Sequence, residues 1–254
     1  MGLADSMRQD WDARARKDAF FYIASWRKDW GVDDFLKSGE EDYQRLVVPF
    51  LSRYGFSPEG KTMIELGCGA GRMTHSFATR FRQVIALDVS AEMLRRGQQI
   101  LRGLENIAWK HANGVDLSAV ADESVDFAFS YLVLQHLPDE RLVHAYVCEM
   151  LRVLRPSGIC LFQFHGTKEP TMNWKGRAVW AFVDTLSRIG LRPAARLGAR
   201  LLGFDPEMAG KNWHGIAVAA ETIAQTVKDS KARVLEVQGE DTPMVWCCAT
   251  KTLG

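Results

Sequence analysis

The chain has almost no net charge: 32 Lys and Arg stand against 31 Asp and Glu, a formal +1 over 254 residues. A balance of this kind leaves no electrostatic footprint for a polyanion, so nucleic acid is not expected as a partner. Cysteine is sparse and odd in number, and the five residues, Cys68, Cys148, Cys160, Cys247 and Cys248, form no C-x-x-C pair. That pattern argues against a zinc site or a disulfide framework and for reduced thiols in a cytoplasmic protein. No apolar run approaches the roughly 20 residues needed to cross a bilayer, so no transmembrane segment is expected. Nothing at the N-terminus reads as a secretory signal. Met1-Gly2 with Ser6 matches a myristoylation pattern that chance supplies often. Repeats and low-complexity tracts are also missing.

What is present is an ordinary globular composition, 47% apolar and 25% charged, and a length that suits one α/β domain with additions. Its most informative stretch is residues 63–71, Met-Ile-Glu-Leu-Gly-Cys-Gly-Ala-Gly. An apolar run ends in glycines at alternate positions and passes into a helix-compatible segment. Strand, tight turn and helix start form the geometry in which backbone approaches a nucleotide-like ligand. A dinucleotide fingerprint places glycine at the first, third and sixth positions. Here Gly67 and Gly69 fit, but Arg72 occupies the sixth position and Gly71 comes one residue early. Glu65, just before the first glycine, would repel a pyrophosphate and suit a cationic amino group.

Further signals follow in order. Val84-Ile85-Ala86-Leu87-Asp88 is a second apolar run ending in an acid, about 20 residues past the glycine turn, where a carboxylate meets ribose hydroxyls. Ser90 can cap the helix that follows. His111 to Leu117, Val125 to Leu137 and Leu154-Arg155-Pro156-Ser157-Gly158 complete the series. The runs E-L-G-C-G-A-G, L-D-V-S-x-E-M-L and L-R-P-S-G resemble the motifs of the class I S-adenosylmethionine (SAM) methyltransferases, with a type 11-like methyltransferase domain over roughly residues 43–165. The resemblance implies S-adenosyl-L-methionine as cofactor. It places Glu65 near the methionine moiety, lets the backbone at Gly67, Gly69 and Gly71 approach the ligand, sets Asp88 on the ribose diol, and counts Cys68, Arg72, Val89 and Met93 among the cofactor-binding residues. Asn113, Gly114 and Val115 fall near the adenine, with Asn113 standing where many relatives carry an acid. Leu132 and Tyr22 complete the expected pocket.

The fold this implies is α/β: a Rossmann-like, doubly wound, mostly parallel seven-stranded sheet with an antiparallel last strand. An N-terminal helical lid (1–42) would precede the SAM-binding core (43–165). A helical substrate cap (166–215) would be inserted after the fifth strand, and 216–254 would add the last helix and two strands. The alternation of short apolar runs and amphipathic segments supports the parallel sheet on its own. Tyr43, Leu46, Val47, Phe50, Leu51 and Tyr54 recur at helical spacing, and Asp5 or Ser6 can cap an N-terminal helix. Aromatic residues gather in the two flanking segments, among them Trp11, Tyr22, Trp26, Trp30, Trp174 and Trp180. Basic residues gather in the second, from Lys175 to Arg200, which suits an acidic or lipid-like acceptor or a membrane surface.

Methyl transfer is an in-line displacement that needs orientation and exclusion of water more than a nucleophile on the protein. An oxygen or carbon acceptor also gains from a base. His136, after the fourth strand, and His165, after the fifth, fall at the carboxyl edge where ligands bind in such sheets, so they are the catalytic candidates. Gln135, Gln163, Trp213 and His214 are candidates for the substrate; His75 and His144 are not favoured. The expected activity is methyl transfer to a small-molecule or lipid-like acceptor. A SAM- or S-adenosylhomocysteine (SAH)-binding protein without turnover is the alternative, and a nicotinamide oxidoreductase is disfavoured by Arg72.

Overall fold

The computed structural model describes residues 3–167 and 215–253, with positions 181–182, 185–186, 191, 194, 197–198 and 201 between them. Trp174, Trp180, Trp213, His214 and most of the expected cap lie outside the described residues.

Seven strands form one sheet: β1 (Thr62–Leu66), β2 (Gln83–Asp88), β3 (Ile107–His111), β4 (Val125–Ser130), β5 (Leu154–His165), β6 (Ala232–Gln238) and β7 (Met244–Lys251). Their order is β3-β2-β1-β4-β5-β7-β6. β1 pairs in parallel with β2 and β4, β2 with β3, and β4 with β5, while β7 runs antiparallel to β5 and β6. This is the Rossmann-like sheet with one reversed strand that the sequence implies. The strand order reverses at β1/β4, and ligands bind beyond the strand ends at such a point.

Burial on both faces explains the continuous apolar strands. Alternate residues feed opposite cores. Ile64, Ala128, Cys160 and Phe162 face α6 (Glu140–Val153) and α7 (Ala220–Asp229). Met63, Phe127, Phe129 and Leu161 face Tyr43, Phe50, Phe77 and Phe81.

The helices differ from the sequence reading in three places. α1 runs from Leu3 to Ile23, so it begins before Asp5 and Ser6, and its backbone breaks at Asp18 (φ −166°, ψ 90°). There the Asp18 carboxylate accepts the Phe21 N–H at 3.0 Å, capping a new helical turn. Next, the helix expected from Tyr43 begins eleven residues earlier: α2 (Val32–Asp42) passes through a π-helical turn at Tyr43–Val47 into α3 (Val48–Arg53). α2 is polar, and its placement depends on Gly39, where a Cβ would stand 1.9 Å from the Arg72 carbonyl oxygen. Finally, α4 is only Thr74–Ala78, because the glycine turn extends through Met73. α5 (Ala91–Ile100) starts at Ser90 as expected, with the Ser90 Oγ accepting the Met93 N–H at 3.1 Å.

Candidate active site

β1 delivers Glu65 and Leu66 to the carboxyl edge, and the chain then turns through Gly67 and Gly69. Gly67 (φ +76°) lies under Val133, whose Cγ2 would be 2.1 Å from an added Cβ. Gly69 (φ +54°) lies under Ile23 of α1, whose Cδ1 would be 2.7 Å away. The Gly67 and Cys68 N–H groups donate to the Leu87 carbonyl at 2.7 and 2.9 Å, tying the turn to β2. At the end of β2 the two carboxylate oxygens of Asp88 accept the Gly69 N–H and the Ser90 N–H, each at 2.8 Å. Asp88 is therefore fixed from both sides before any ligand arrives.

α1 closes over this edge. Its Asp12 accepts from the Ser90 hydroxyl at 2.6 Å and from the Glu92 N–H at 3.2 Å, docking the helix on the start of α5. Met7, Trp11, Tyr22 and Ile23 of α1 form one wall of a cavity of about 560 Å³. Glu65, Gly67, Cys68, Gly69, Arg72, Asp88, Val89, Met93 and Leu132 line it from the glycine turn, the end of β2 and the segment after β4. Gln135, His136, Leu137, Tyr146, His165 and Met244 line it too.

Four expected residues have surroundings that the sequence does not reveal. The Arg72 side chain is almost fully buried; it donates to Asp42 at 2.8 Å and to the Ser38 carbonyl at 3.2 Å, and stacks on Trp26 at 5.4 Å. It thus joins the glycine turn to α2 and to Trp26 in the segment between α1 and α2. Glu65 accepts the Thr74 hydroxyl at 2.6 Å, and burial pushes its carboxyl up to about 8 against the opposing pull of Thr74 and Arg72. Burial also raises Asp88, to about 6, against the hydrogen bonds from Ser90 and Gly69. The Cys68 thiol is likewise held well above its ordinary range by burial, which leaves it no role as a nucleophile.

Five expected residues do not line the cavity. Gly71 faces Leu101 and Trp109, so it serves packing. The Asn113 side-chain oxygen accepts the Val115 and Asp116 N–H groups at 2.8 and 2.9 Å, so the amide organises its own loop. Gly114 lies beneath Ala4 and Met7, and Val115 is exposed. Ala112, just before them, reaches the cavity instead. Gln163 is fully buried behind the wall, bonded to the Leu132 N–H at 3.2 Å. The sequence reading missed Tyr146, which looks like an ordinary apolar-face position of α6, and Met244 at the start of β7.

A glycine turn on the cavity wall, a fixed carboxylate at one point and a buried carboxyl at another suit a ligand with a ribose diol and an α-ammonium group. That is the constellation of a SAM-binding α/β enzyme. Residues 64–162 match the methyltransferase domain family model. The chain is 37% identical over 215 residues to trans-aconitate 2-methyltransferase of Azoarcus, covering 83% of this chain and 79% of that one. It is 32% identical over 142 residues to malonyl-[acyl-carrier protein] O-methyltransferase of Yersinia pestis, covering 56% of this chain and 49% of that one. The fold matches magnesium protoporphyrin IX methyltransferase of Synechocystis with bound SAM at a TM-score of 0.63 and 13% identity, covering 99% of this chain and 98% of that chain. The chain belongs to the class I SAM-dependent methyltransferases, with SAM as its cofactor.

The raised carboxyls make cofactor binding depend on pH. Ligand hydroxyl and ammonium donors favour the ionised forms, so binding expels protons that Asp88 and Glu65 hold in the free enzyme. For the free fold the sign is opposite. Protonated Asp88 stabilises it fully below the unfolded value of 3.8, and that contribution is lost as pH rises through about 6. SAH affinity should rise between pH 5 and 7, by up to roughly tenfold per pH unit for each proton released. Calorimetry in buffers of different ionisation enthalpy reads the proton count directly; a flat or falling affinity would contradict the assignment.

Proposed function

We propose that this methyltransferase acts on an oxygen of a small carboxylic acid, one with an apolar portion, bound at the His136–His165 end of the cavity. One observation carries the reading. Among the described residues, the only carboxylates lining the cavity are Glu65 and Asp88, both in the cofactor half. The acceptor half presents His136, His165 and Gln135 beside the apolar Trp11, Leu137 and Met244. Tyr146 stands nearer Asp88: burial, and after it the charges of Asp116 and Asp88, raise its phenol and keep it neutral. The Gln135 Nε2 lies 3.2 Å from the His136 Nε2, and Trp11 packs edge-on against that ring at 5.5 Å. A carboxylate is anionic at neutral pH and needs no base; it needs donors to orient one oxygen. The similarity to enzymes named for trans-aconitate and a malonyl group, both carboxylic acids, supports the reading.

SAM supplies a methyl group on a sulfonium, an excellent leaving group. The chain's own part is to align and to exclude water. Asp88 and the glycine turn fix one partner, the donor set orients the other, and α1 forms the cover. The division into lid, core and cap belongs to this proposal. So does a cytoplasmic location, which suits five free thiols. Among the described residues no helix is long and apolar enough to cross a membrane.

The test is a SAM-consumption assay over panels of organic acids, amines and phenols, with products identified by mass spectrometry as alkali-labile methyl esters. His165→Ala and His136→Ala should each raise KM for the acid about tenfold, the cost of a lost bond to a charged group, with SAH affinity little changed. Turnover of amines but not acids would refute the acceptor class, and SAH binding without any turnover would favour a non-catalytic binding protein.

A further inference from the structure

Leu132 has a backbone φ of +58°, in the left-handed region that disfavours residues other than glycine or asparagine. It lines the cofactor cavity, so the strain sits where the ligand binds. Its N–H donates to the side-chain oxygen of Gln163 at 3.2 Å. The other end of that amide donates to the Phe164 carbonyl at 2.8 Å. One partner is a donor and the other an acceptor, so together they fix which way the amide points. Gln163 is fully buried in β5 between Phe162 and Phe164, a position where the strand pattern calls for an apolar residue. The residue after Leu132 is Val133, whose methyl covers Gly67. Beyond it come Gln135 and His136, carried into the cavity by the same turn.

We infer that Gln163 is a positioning residue for the cofactor: its buried amide holds Leu132 in the left-handed turn that seats Val133 on Gly67 and sets the cavity wall. Without that bond, Leu132 relaxes to negative φ and the segment carrying Val133 to His136 is displaced. The inference rests on the cofactor site described above, and SAH binding by the unaltered protein is its control.

The experiment is a double-mutant cycle read by SAH calorimetry on the full chain. Gln163→Met keeps the volume and removes the bond. With Leu132 in place it should weaken SAH by about tenfold, because Leu132 then leaves the left-handed conformation that the bond holds and displaces the wall. In a Leu132→Gly background it should weaken SAH by less than about threefold, because glycine adopts positive φ unaided. Equal losses in both backgrounds, or no loss in either, overturn the inference. Should Gln163→Met fail to fold, hydrogen exchange of the unaltered protein decides. Slow exchange at the Leu132 N–H, like that of neighbouring strand amides, supports the bond, and exchange at loop rates overturns it. A wild-type protein that does not bind SAH would overturn the site itself.

Discussion

Gly67→Val should reduce SAH affinity by on the order of a hundredfold, the largest effect of any single change in the cavity. Two costs combine. A branched residue held at φ +76° is disfavoured by about 1–2 kcal/mol. Its Cβ would also stand 2.1 Å from a Val133 methyl, and overpacking of this kind costs about 1–3 kcal/mol. Relief requires moving the turn or displacing Val133, and either deforms the cradle. Gly69→Ala is the informative contrast. Its Cβ would meet the flexible end of Ile23, so α1 shifts, and with the strain of φ +54° the loss should be several-fold. Calorimetry with SAH, alongside circular dichroism to show the fold is kept, compares the two. Equal affinities would show that the close approach at Gly67 does not shape the ligand site.

Asp88→Ala should weaken SAH by tenfold or more. Loss of a charge-assisted hydrogen bond is worth about 1.5–3 kcal/mol, and the substitution also strips the Gly69 and Ser90 N–H groups of their acceptor. Asp88→Asn should be nearly as damaging. Each carboxylate oxygen accepts a backbone N–H, so an amide must turn its NH₂ group toward one of them. Retained affinity in either variant would remove Asp88 from the cofactor site.

The legible parts of the molecule are those set by neighbours in sequence. The glycine turn, Asp88 at a strand end and the Ser90 cap all depend on a few adjacent residues, and each stands where the sequence places it. The sheet was legible for the same reason, since two-sided burial writes itself as short apolar runs. Contacts between distant segments were not legible. Nothing near Gly69 in sequence shows that a Cβ there would point at Ile23 of α1. Asn113 resembles an adenine contact, but its amide is satisfied within four residues of itself. α2 shows few apolar residues because, apart from the buried Phe35, it is held by Gly39 and by the Asp42–Arg72 pair, both contacts to a turn about thirty residues on. Tyr146 and Met244 enter the cavity from elements whose pattern signals only packing.

The central claim is that SAM binds at the carboxyl edge between the glycine turn, Asp88 and α1. Hydrogen exchange with and without saturating SAH tests it most directly, because it reports on each of those segments in one measurement. The structure predicts increased protection over 64–72, 88–93 and 131–136, together with α1 from Trp11 to Ile23. Protection confined to other parts of the chain, or none at saturating SAH, would contradict it.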